Sequence, residues 1–529
     1  MTTKSLMTTA AAVSLMGALA ATQAHAQSAG GNDAEIAALK QQLRLMEQKI
    51  EKLQTQSAAN AKATARANEK VDTVANANAA IPVKAGAPAS GVIVTMPNNR
   101  PTICTADNQN CVAITSRVHW DVGGYDYRPN SAATSPQRLD SGENLRRARI
   151  GIIGKFFGDW NYALVYDFGG TSDGFGGAAA GSLPGGGVSG VENAYLSYTG
   201  IKPFGGKLAI EGGIMDIPYT LDEATSSNDI LFMERASAGV IATNIAAGDF
   251  RSTIGTRWWN DTFWAGAYVT GPTTGQIHSA SSTAPVAQSE QYGAVARVAG
   301  QVVSGPDYSF HLGADYQALI QPAHQIVNGV NGAQTLTLSD RPELRLDPTV
   351  LVTTGALANV SQAQVYSVEA AGTYGGFFAQ GEYFWFNVQR DANTGLPPFG
   401  APSLNFQGGY GQIGYVLTGE THHYNAAAAA YGGITPLHPF NFAAGGWGAW
   451  EIAARYSTID LNDRVGTALG VAGGRQDVVT VGLNWYANSN VRLMFDYLHG
   501  NVSKQISATN PGDAGSKFDA FAMRTQVAF

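Results

Sequence analysis

In the stretch DVVTVGLNWYA, residues 477–487, apolar side chains alternate with polar or small ones from Val479 to Trp485. The apolar parity carries Val479, Val481, Leu483 and Trp485, and the other parity carries Thr480, Gly482 and Asn484. Successive side chains of a β-strand point to opposite faces, so a period of two predicts a strand with one apolar face and one polar face.

The same alternation recurs in residues 448–457, 490–498 and 521–529. In each segment the charged side chains share one parity, and most of the large apolar side chains share the other. The charged set is Glu451, Arg455, Arg492, Asp496 and Arg524. The chain also ends in Phe529, on the apolar parity of the last strand, which is a feature of outer-membrane barrels. These segments predict an all-β, antiparallel body.

Composition and aromatic placement favour a transmembrane barrel over a soluble sandwich. The 529 residues include 63 glycines, 21 tyrosines, 21 phenylalanines and 9 tryptophans. Tyr and Trp recur near strand ends, as at Trp450, Tyr456 and Trp485, where an interfacial girdle would lie. A body spanning residues 114–529, at roughly 25 residues per strand, gives about 16 strands. A barrel of this size encloses an aqueous lumen.

Charge and hydropathy argue against two other classes of protein. The formal net charge of -7 gives no electrostatic reason to expect nucleic acid as a partner. Beyond residue 26, the sequence contains no apolar run long enough for a transmembrane helix. We therefore expect β-strands to cross the outer membrane and to contact its lipid.

Residues 1–26 are predicted to be a cleaved secretory signal peptide. Lys4 lies in a short basic region, an apolar stretch follows over residues 10–21, and Ala24-His25-Ala26 matches a cleavage site. Because the apolar stretch is short and ends in a cleavable motif, a structural helix is the less favoured alternative.

Residues 33–75 are predicted to form a coiled coil. Apolar residues there are three and four positions apart, as in a heptad seam: Ile36, Leu39, Leu43, Met46, Ile50 and Leu53. A single amphipathic helix docked on the body is the alternative. Residues 76–113, rich in Ala, Gly and Pro, are predicted to be a linker. Its two cysteines, Cys104 and Cys111, are predicted to close a small disulfide loop, since the segment is exported.

The body resembles the family of phosphate-selective porins O and P. The resemblance is carried by six stretches in family order: LRRARIGIIGKFFGDWNYALVYDFGG (145–170), YLSYTGIKPF (195–204), DEATSSNDILFMER (222–235), YVLTGE (415–420), GAWEIAARYSTIDLND (448–463) and GLNWYANSNVRLMFDY (482–497). It implies a homotrimer of sixteen-stranded barrels, each narrowed by an inward loop at residues 215–238. It also implies a ladder of lumen arginines that attracts anions.

The resemblance assigns pore positions one by one. Arg117, Arg146, Arg147 and Arg235 match ladder arginines, Arg341 and Arg345 fall in an arginine-rich loop segment, and Glu192 matches an acidic pore position. Alternation independently places Arg149 on the same face as Arg147. Arg146 has the opposite parity, so we expect a strand end or a bulge there if it reaches the lumen.

Glu223 departs from the family pattern. Phosphate-selective members have a lysine just before ATSS, where this chain has Glu223, with Asp222 before it and Asp229 shortly after. A carboxylate at a constriction repels a phosphate dianion at close range. The sequence therefore predicts a porin for passive diffusion of small hydrophilic solutes, with anions preferred and phosphate selectivity in question.

Three other functions fit the sequence less well. A structural or adhesive outer-membrane protein is expected to have a small, filled barrel, and this body is too long for one. An enzyme is disfavoured because G-x-S-x-G and H-E-x-x-H motifs are absent, and neighbouring His422 and His423 are more typical of a turn than of a metal site. An energised transporter would need a plug domain before the barrel. No cofactor is expected.

Overall fold

The computed structural model describes residues 40, 41, 44, 45, 48, 91–130, 138–169, 190–248, 251–273, 286–327, 329–391, 402–505 and 515–529. The chain divides into two units, residues 1–88 and 89–529. In the first unit the five described residues are helical. The predicted signal peptide and nearly all of the predicted coiled coil lie outside the described residues.

The second unit is a closed antiparallel barrel of sixteen strands, as the sequence predicts. The strands are β1 (Cys111–Pro129), β2 (Gly142–Phe156), β3 (Trp160–Asp167), β4 (Gly190–Ile201), β5 (Lys207–Met215), β6 (Arg251–Trp259), β7 (Phe263–Thr273), β8 (Tyr292–Ser304), β9 (Tyr308–Gln321), β10 (Val360–Tyr374), β11 (Phe377–Arg390), β12 (Ser403–Val416), β13 (Ala449–Asp463), β14 (Val471–Tyr486), β15 (Val491–Ser503) and β16 (Ser516–Ala528). Each strand pairs with its neighbours, and β16 pairs with β1 to close the barrel.

The strands expose their apolar side chains and bury their polar ones, which is the reverse of a soluble protein. Val481 is 52% exposed, whereas its neighbour Thr480 and the amide of Asn484 are 0% exposed. On β16, Phe521 is 63% exposed and Arg524 is 0% exposed. The apolar face therefore points outward and the polar face points into the lumen, which suits a barrel surrounded by lipid.

Connections at the two ends of the barrel differ in length. At one end, called the short-turn end, the connections are brief: residues 157–159, 202–206, 260–262, 305–307, 375–376 and 487–490. At the other end, the long-loop end, they include residues 130–141, 168–189, 216–250, 274–291 and 322–359. One connection breaks this rule, because residues 417–448 are at the short-turn end and are long. We call them the turn-side segment.

The predicted linker contains a β-hairpin just before the barrel. Val92–Thr95 pairs antiparallel with Thr102–Thr105, which pairs with the start of β1. Its first strand is a run of β-branched residues, which favour extended backbone. Cys104 and Cys111 face each other across this sheet and form a disulfide. β1 thus begins at Cys111, slightly earlier than the predicted barrel start at residue 114.

The remaining short elements lie in the connections. They are the 3-10 helices Pro97–Asn99, Pro203–Gly205 and Phe442–Ala444, and the strands Val286–Gln288, His324–Val327, Val330–Leu336, Ser339–Asp340, Val352–Thr353, Leu357–Ala358, Tyr424–Asn425 and Ala430–Tyr431. None of the helices in the described residues is both long and apolar enough to span a membrane.

The loop between β5 and β6, residues 216–250, folds into the lumen, and we call it the constriction loop. It carries two helices, α1 (Leu221–Ala224) and α2 (Ser237–Ala246). Lumen side chains bind its buried backbone: the Met233 N–H donates to Asp496 Oδ2 (2.8 Å) and the Leu221 N–H to Glu382 Oε1 (2.8 Å). Because buried amides need acceptors, polar residues on the wall hold the loop in place.

Candidate functional site

Two adjacent strands bring four basic or histidine side chains together on the inner wall. In the register of β1 and β2, Arg117 lies opposite Arg149, and His119 lies opposite Arg147. The register shifts by one residue immediately afterwards, so that Trp120 lies opposite Leu145. Arg146 is the extra residue of this bulge, which allows it to point into the lumen beside Arg147.

Most of the arginines assigned to the pore are engaged by carboxylates. Arg146 Nε lies 2.7 Å from Glu234 Oε1, and Arg149 Nε lies 2.8 Å from Asp167 Oδ2. Arg149 also contacts Glu192, the predicted acidic pore residue. These pairs are buried, so each carboxylate cancels much of the positive charge of its partner.

Glu223 and Arg235 form an ion pair within the constriction loop. Arg235 Nε lies 3.2 Å from Glu223 Oε2 and 3.7 Å from Asp222 Oδ2. Arg235 also donates to the Thr225 carbonyl at 2.9 Å. These contacts link Arg235 to the segment from Asp222 to Thr225. Glu223 therefore faces a cation of its own loop, and the structure brings these two predicted site residues together.

Arg117 and Arg147 differ from these paired arginines. Arg117 donates through its Nη atoms to the hydroxyls of Ser226 and Ser227 in the constriction loop. Arg147 is 3% exposed, and its Nε and Nη1 atoms have no hydrogen-bond partner among the residues that the structure describes. No ion pair joins either guanidinium to a carboxylate in the described ranges of the chain. These two side chains therefore supply positive charge that protein carboxylates do not directly neutralise.

A polar cavity of about 180 Å³ lies against this wall. It is lined by side chains of β1 to β4, among them Thr115, Arg117, Arg149, Glu192 and Tyr195. A second cavity of about 430 Å³, toward the short-turn end, shares Ile153 and Tyr195 with it. A water molecule occupies about 30 Å³ of liquid, so these spaces are large enough for a small hydrated ion.

Arg341 and Arg345 lie apart from this cavity. Both belong to the loop of residues 322–359, and Arg345 Nη2 lies 2.9 Å from Asp340 Oδ1. In the same loop, Glu343 accepts from Arg455 of β13 at 2.7 Å. The Glu343–Arg455 pair thus ties the loop to the barrel wall, and Arg345 is engaged in an ion pair within the loop.

The opposite wall carries a charged cluster that the sequence analysis did not single out. Arg297 of β8 lies 2.8 Å from Glu369 Oε1 and 3.5 Å from Asp315 Oδ1. His311 Nε2 lies 2.8 Å from the same Glu369 oxygen. The Asp315, Glu369 and Glu382 carboxylates lie close together, and all three are buried. Arg297 already provides a counter-charge for Glu369 and Asp315.

The turn-side segment covers this cluster. Arg297 donates to the carbonyls of Ala428 (2.8 Å) and Ala429 (2.7 Å), and Trp264 Nε1 donates to that of Ala427 (3.0 Å). The hydroxyl of Tyr424 lies 3.0 Å from His311 Nδ1. The segment therefore fills the lumen beside β7 to β11, and the cavities along β1 to β4 stay open.

His422 anchors the turn-side segment. Its Nε2 lies 2.7 Å from Glu451 Oε1, and its Nδ1 lies 2.8 Å from the Gly432 carbonyl. Both neighbours are acceptors, so only a doubly protonated imidazole satisfies both. Burial lowers the pKa of His422, but Glu451 and the Gly432 carbonyl outweigh it and the pKa is raised. His422 is thus an internal ion-pair partner, consistent with the predicted turn.

These features define the class of protein. The barrel is closed, its exterior is apolar, its lumen is lined with charge, and loops folded inward narrow it. Sixteen-stranded barrels of this kind enclose aqueous channels across outer membranes, with short turns toward the periplasm. The architecture is that of a porin.

Comparisons with known proteins agree with this class. The family model for phosphate-selective porin O and P matches residues 112–529. Porin O of Pseudomonas aeruginosa is 26% identical over 445 residues, covering 81% of this chain and 90% of that protein. An anion-selective porin from Comamonas acidovorans is similar in structure, with 14% identity, a TM-score of 0.43, and coverage of 79% of this chain and 99% of that chain. OmpT, an outer membrane protein of Vibrio cholerae, matches with 11% identity, a TM-score of 0.42, and coverage of 80% and 98%.

The chain belongs to the phosphate-selective porin O and P family, because the family model matches most of its length. It is a porin of the bacterial outer membrane. The resemblance drawn from the sequence is confirmed.

Proposed function

We propose that this porin lets small anions diffuse passively along the β1 to β4 wall of its lumen. Arg117 and Arg147 carry the proposal, since neither is paired with a carboxylate in the described part of the chain. Charges in a narrow, partly desolvated pore attract counter-ions more strongly than charges in bulk water. An anion entering this space meets Arg117, which lines the cavity, and the buried Arg147 adds positive charge to the same wall.

We further propose that the pore prefers anions without holding phosphate tightly. Glu192, Glu223 and Glu234 each lie against one of the arginines that a phosphate ladder would use. A phosphate ion must compete with these carboxylates for the same donors. The paired arginines therefore contribute little net attraction, which favours a general anion pore over a phosphate-specific one.

The assembly expected from the sequence is part of the proposal. We propose a homotrimer in outer-membrane lipid, exported by the residue 1–26 signal peptide and joined by a coiled coil at residues 33–75, with residues 76–113 leading into the barrel. The outward apolar face of the barrel suits contact with lipid and with other copies of the chain. Gel filtration and cross-linking of the purified protein test the trimer.

The test of solute preference is the reversal potential of the purified full-length protein in a planar bilayer under a KCl gradient. We expect anion preference and only weak reduction of the chloride current by millimolar phosphate. Strong phosphate block would show a phosphate-specific pore. Cation preference or absence of conductance would contradict anion diffusion.

A further inference from the structure

The tip of the constriction loop is held from two sides of the lumen. We call residues 226–231 the loop tip. On the open wall, Arg117 donates to the hydroxyls of Ser226 and Ser227. From the covered wall, the turn-side segment contacts the same loop tip. The loop tip therefore lies between the side chain that lines the open cavity and a segment that comes from the short-turn end.

The constriction loop and the turn-side segment share one buried apolar cluster. Its members include Leu231, Phe232, Ala430 and Tyr431. The hydroxyl of Tyr431 lies 2.7 Å from Ser309 Oγ of β9, which fixes the segment to the barrel wall. Because burial of apolar side chains is favourable, this cluster holds the constriction loop on the side away from Arg117.

Gly433 of the turn-side segment lies directly against Asp229 of the loop tip. Its backbone N–H donates to the Asp229 carboxylate. A Cβ added at Gly433 would lie 2.6 Å from Asp229 Oδ1 and 3.2 Å from Asp229 Cγ. Carbon atoms pack at about 3.5–4.0 Å, and rotation of the carboxylate about its own bond does not move Cγ. Only glycine therefore fits this contact without a shift of the loop tip.

We infer that Gly433 is a positioning residue for the constriction. Through its contact with Asp229, it fixes how far the loop tip stands from Arg117, and so it sets the width of the path along the open wall. A methyl group at this position pushes the loop tip toward Arg117 and narrows that path. This inference rests on the proposed function, since it assumes that solute passes beside Arg117.

A role in stability alone makes a different prediction. A variant that is only less stable gives fewer folded channels, and each folded channel conducts as the wild type does. A displaced loop tip changes the conductance of every channel. Because single channels are recorded one at a time, a low yield of folded protein does not prevent the measurement.

The experiment measures single-channel conductance in KCl for the full-length wild type, Gly433→Ala, Asp229→Ala and the double variant. We expect Gly433→Ala to lower the conductance at least about twofold, the lower end of the coupling between residues in contact. In the Asp229→Ala background, the same change should have little effect. There the added methyl group faces only the Cβ of residue 229, at 3.5 Å.

Gly432→Ala is the matched control. A Cβ at Gly432 would lie 3.7 Å from the His423 carbonyl oxygen and 3.9 Å from Asp229 Oδ2, so this variant should conduct as the wild type does. An unchanged or higher conductance in Gly433→Ala, or an equal fall in the Asp229→Ala background, would overturn the inference. Cation preference of the wild type would contradict the proposed function, and the conductance comparison would still test the position of the loop tip.

Discussion

The two walls of the lumen use the same kinds of side chain for different purposes. On the wall of β1 to β4, Arg117 lines an open polar cavity, and neither Arg117 nor Arg147 is paired with a carboxylate in the described residues. On the wall of β7 to β11, Arg297 is 1% exposed beneath the turn-side segment and is bound by two carboxylates and two carbonyl oxygens. Both sets of side chains point inward from the barrel.

The difference shows that an inward arginine is not by itself a solute contact. A guanidinium whose donors are taken by protein acceptors stabilises the fold, and its charge is cancelled locally. A guanidinium beside an open cavity that has no carboxylate partner, such as Arg117, keeps a positive charge that can attract an ion. The lumen arginines therefore fall into two groups. Those covered by an inward segment are structural, and those beside an open cavity face solute.

The largest expected effect is on the covered wall. Arg297→Met leaves Glu369 and Asp315 buried without their main cation, which costs about 3–5 kcal/mol of stability. The matched change Arg117→Met breaks two hydrogen bonds to serine hydroxyls and should cost roughly 1 kcal/mol each at most. Urea unfolding followed by tryptophan fluorescence measures both. Equal losses of unfolding free energy in the two variants would contradict the distinction between the two walls.

A pH-dependent effect is expected in the turn-side segment. The pKa of His422 is raised in the folded protein, so its contribution is complete below the unfolded pKa of about 6.5 and is lost as pH rises through the folded pKa. A hydrogen bond between charged groups contributes roughly 1.5–3 kcal/mol. Glu451, Tyr486, Arg492 and Asp229 are the other titratable groups facing this site.

Hydrogen exchange of peptides from residues 417–448 between pH 6 and pH 9 measures this effect, after correction for the intrinsic pH dependence of exchange. Protection should fall with rising pH in the wild type and be low throughout in His422→Asn. The adjacent and exposed His423 provides the control, since His423→Asn should behave like the wild type. Protection that falls as the pH is lowered would contradict this prediction.

A smaller effect is expected on the open wall. Removing one unpaired positive charge, in Arg117→Gln or Arg147→Gln, should lower the anion-to-cation permeability ratio about fivefold, corresponding to about 1 kcal/mol. Arg117→Lys keeps the charge and should retain most of the preference. Bilayer reversal potentials measure all three. A drop in Arg117→Lys as large as in Arg117→Gln would mean that geometry matters more than charge.

The barrel could be predicted because its signal is local. Alternation within a single segment such as residues 477–487 specifies a strand and its two faces, and the length of the body gives the strand number. Parity also predicted either a strand end or a bulge at Arg146 if it reaches the lumen, and the structure has the bulge. The inward loop is at the expected place, although it extends beyond residue 238 and includes all of α2.

The charge pattern of the lumen could not be predicted in this way. Arg146 is 88 positions from Glu234, and Arg524 is 403 positions from Asp121, so no local pattern reveals these pairs. The turn-side segment was missed for another reason. Connections at the short-turn end are normally brief, and its run of alanines has neither strand nor helix periodicity.

We propose that solute passes along the β1 to β4 wall and not along the covered wall. Ala163 of β3 lines the open cavity, and Ala371 of β10 packs under Tyr431 of the turn-side segment. The native cysteines are joined in a disulfide, so Ala163→Cys and Ala371→Cys each add one thiol of the same size. We expect a negatively charged methanethiosulfonate reagent to block the current through Ala163→Cys and to leave Ala371→Cys conducting. Block of Ala371→Cys with Ala163→Cys unaffected would contradict the account.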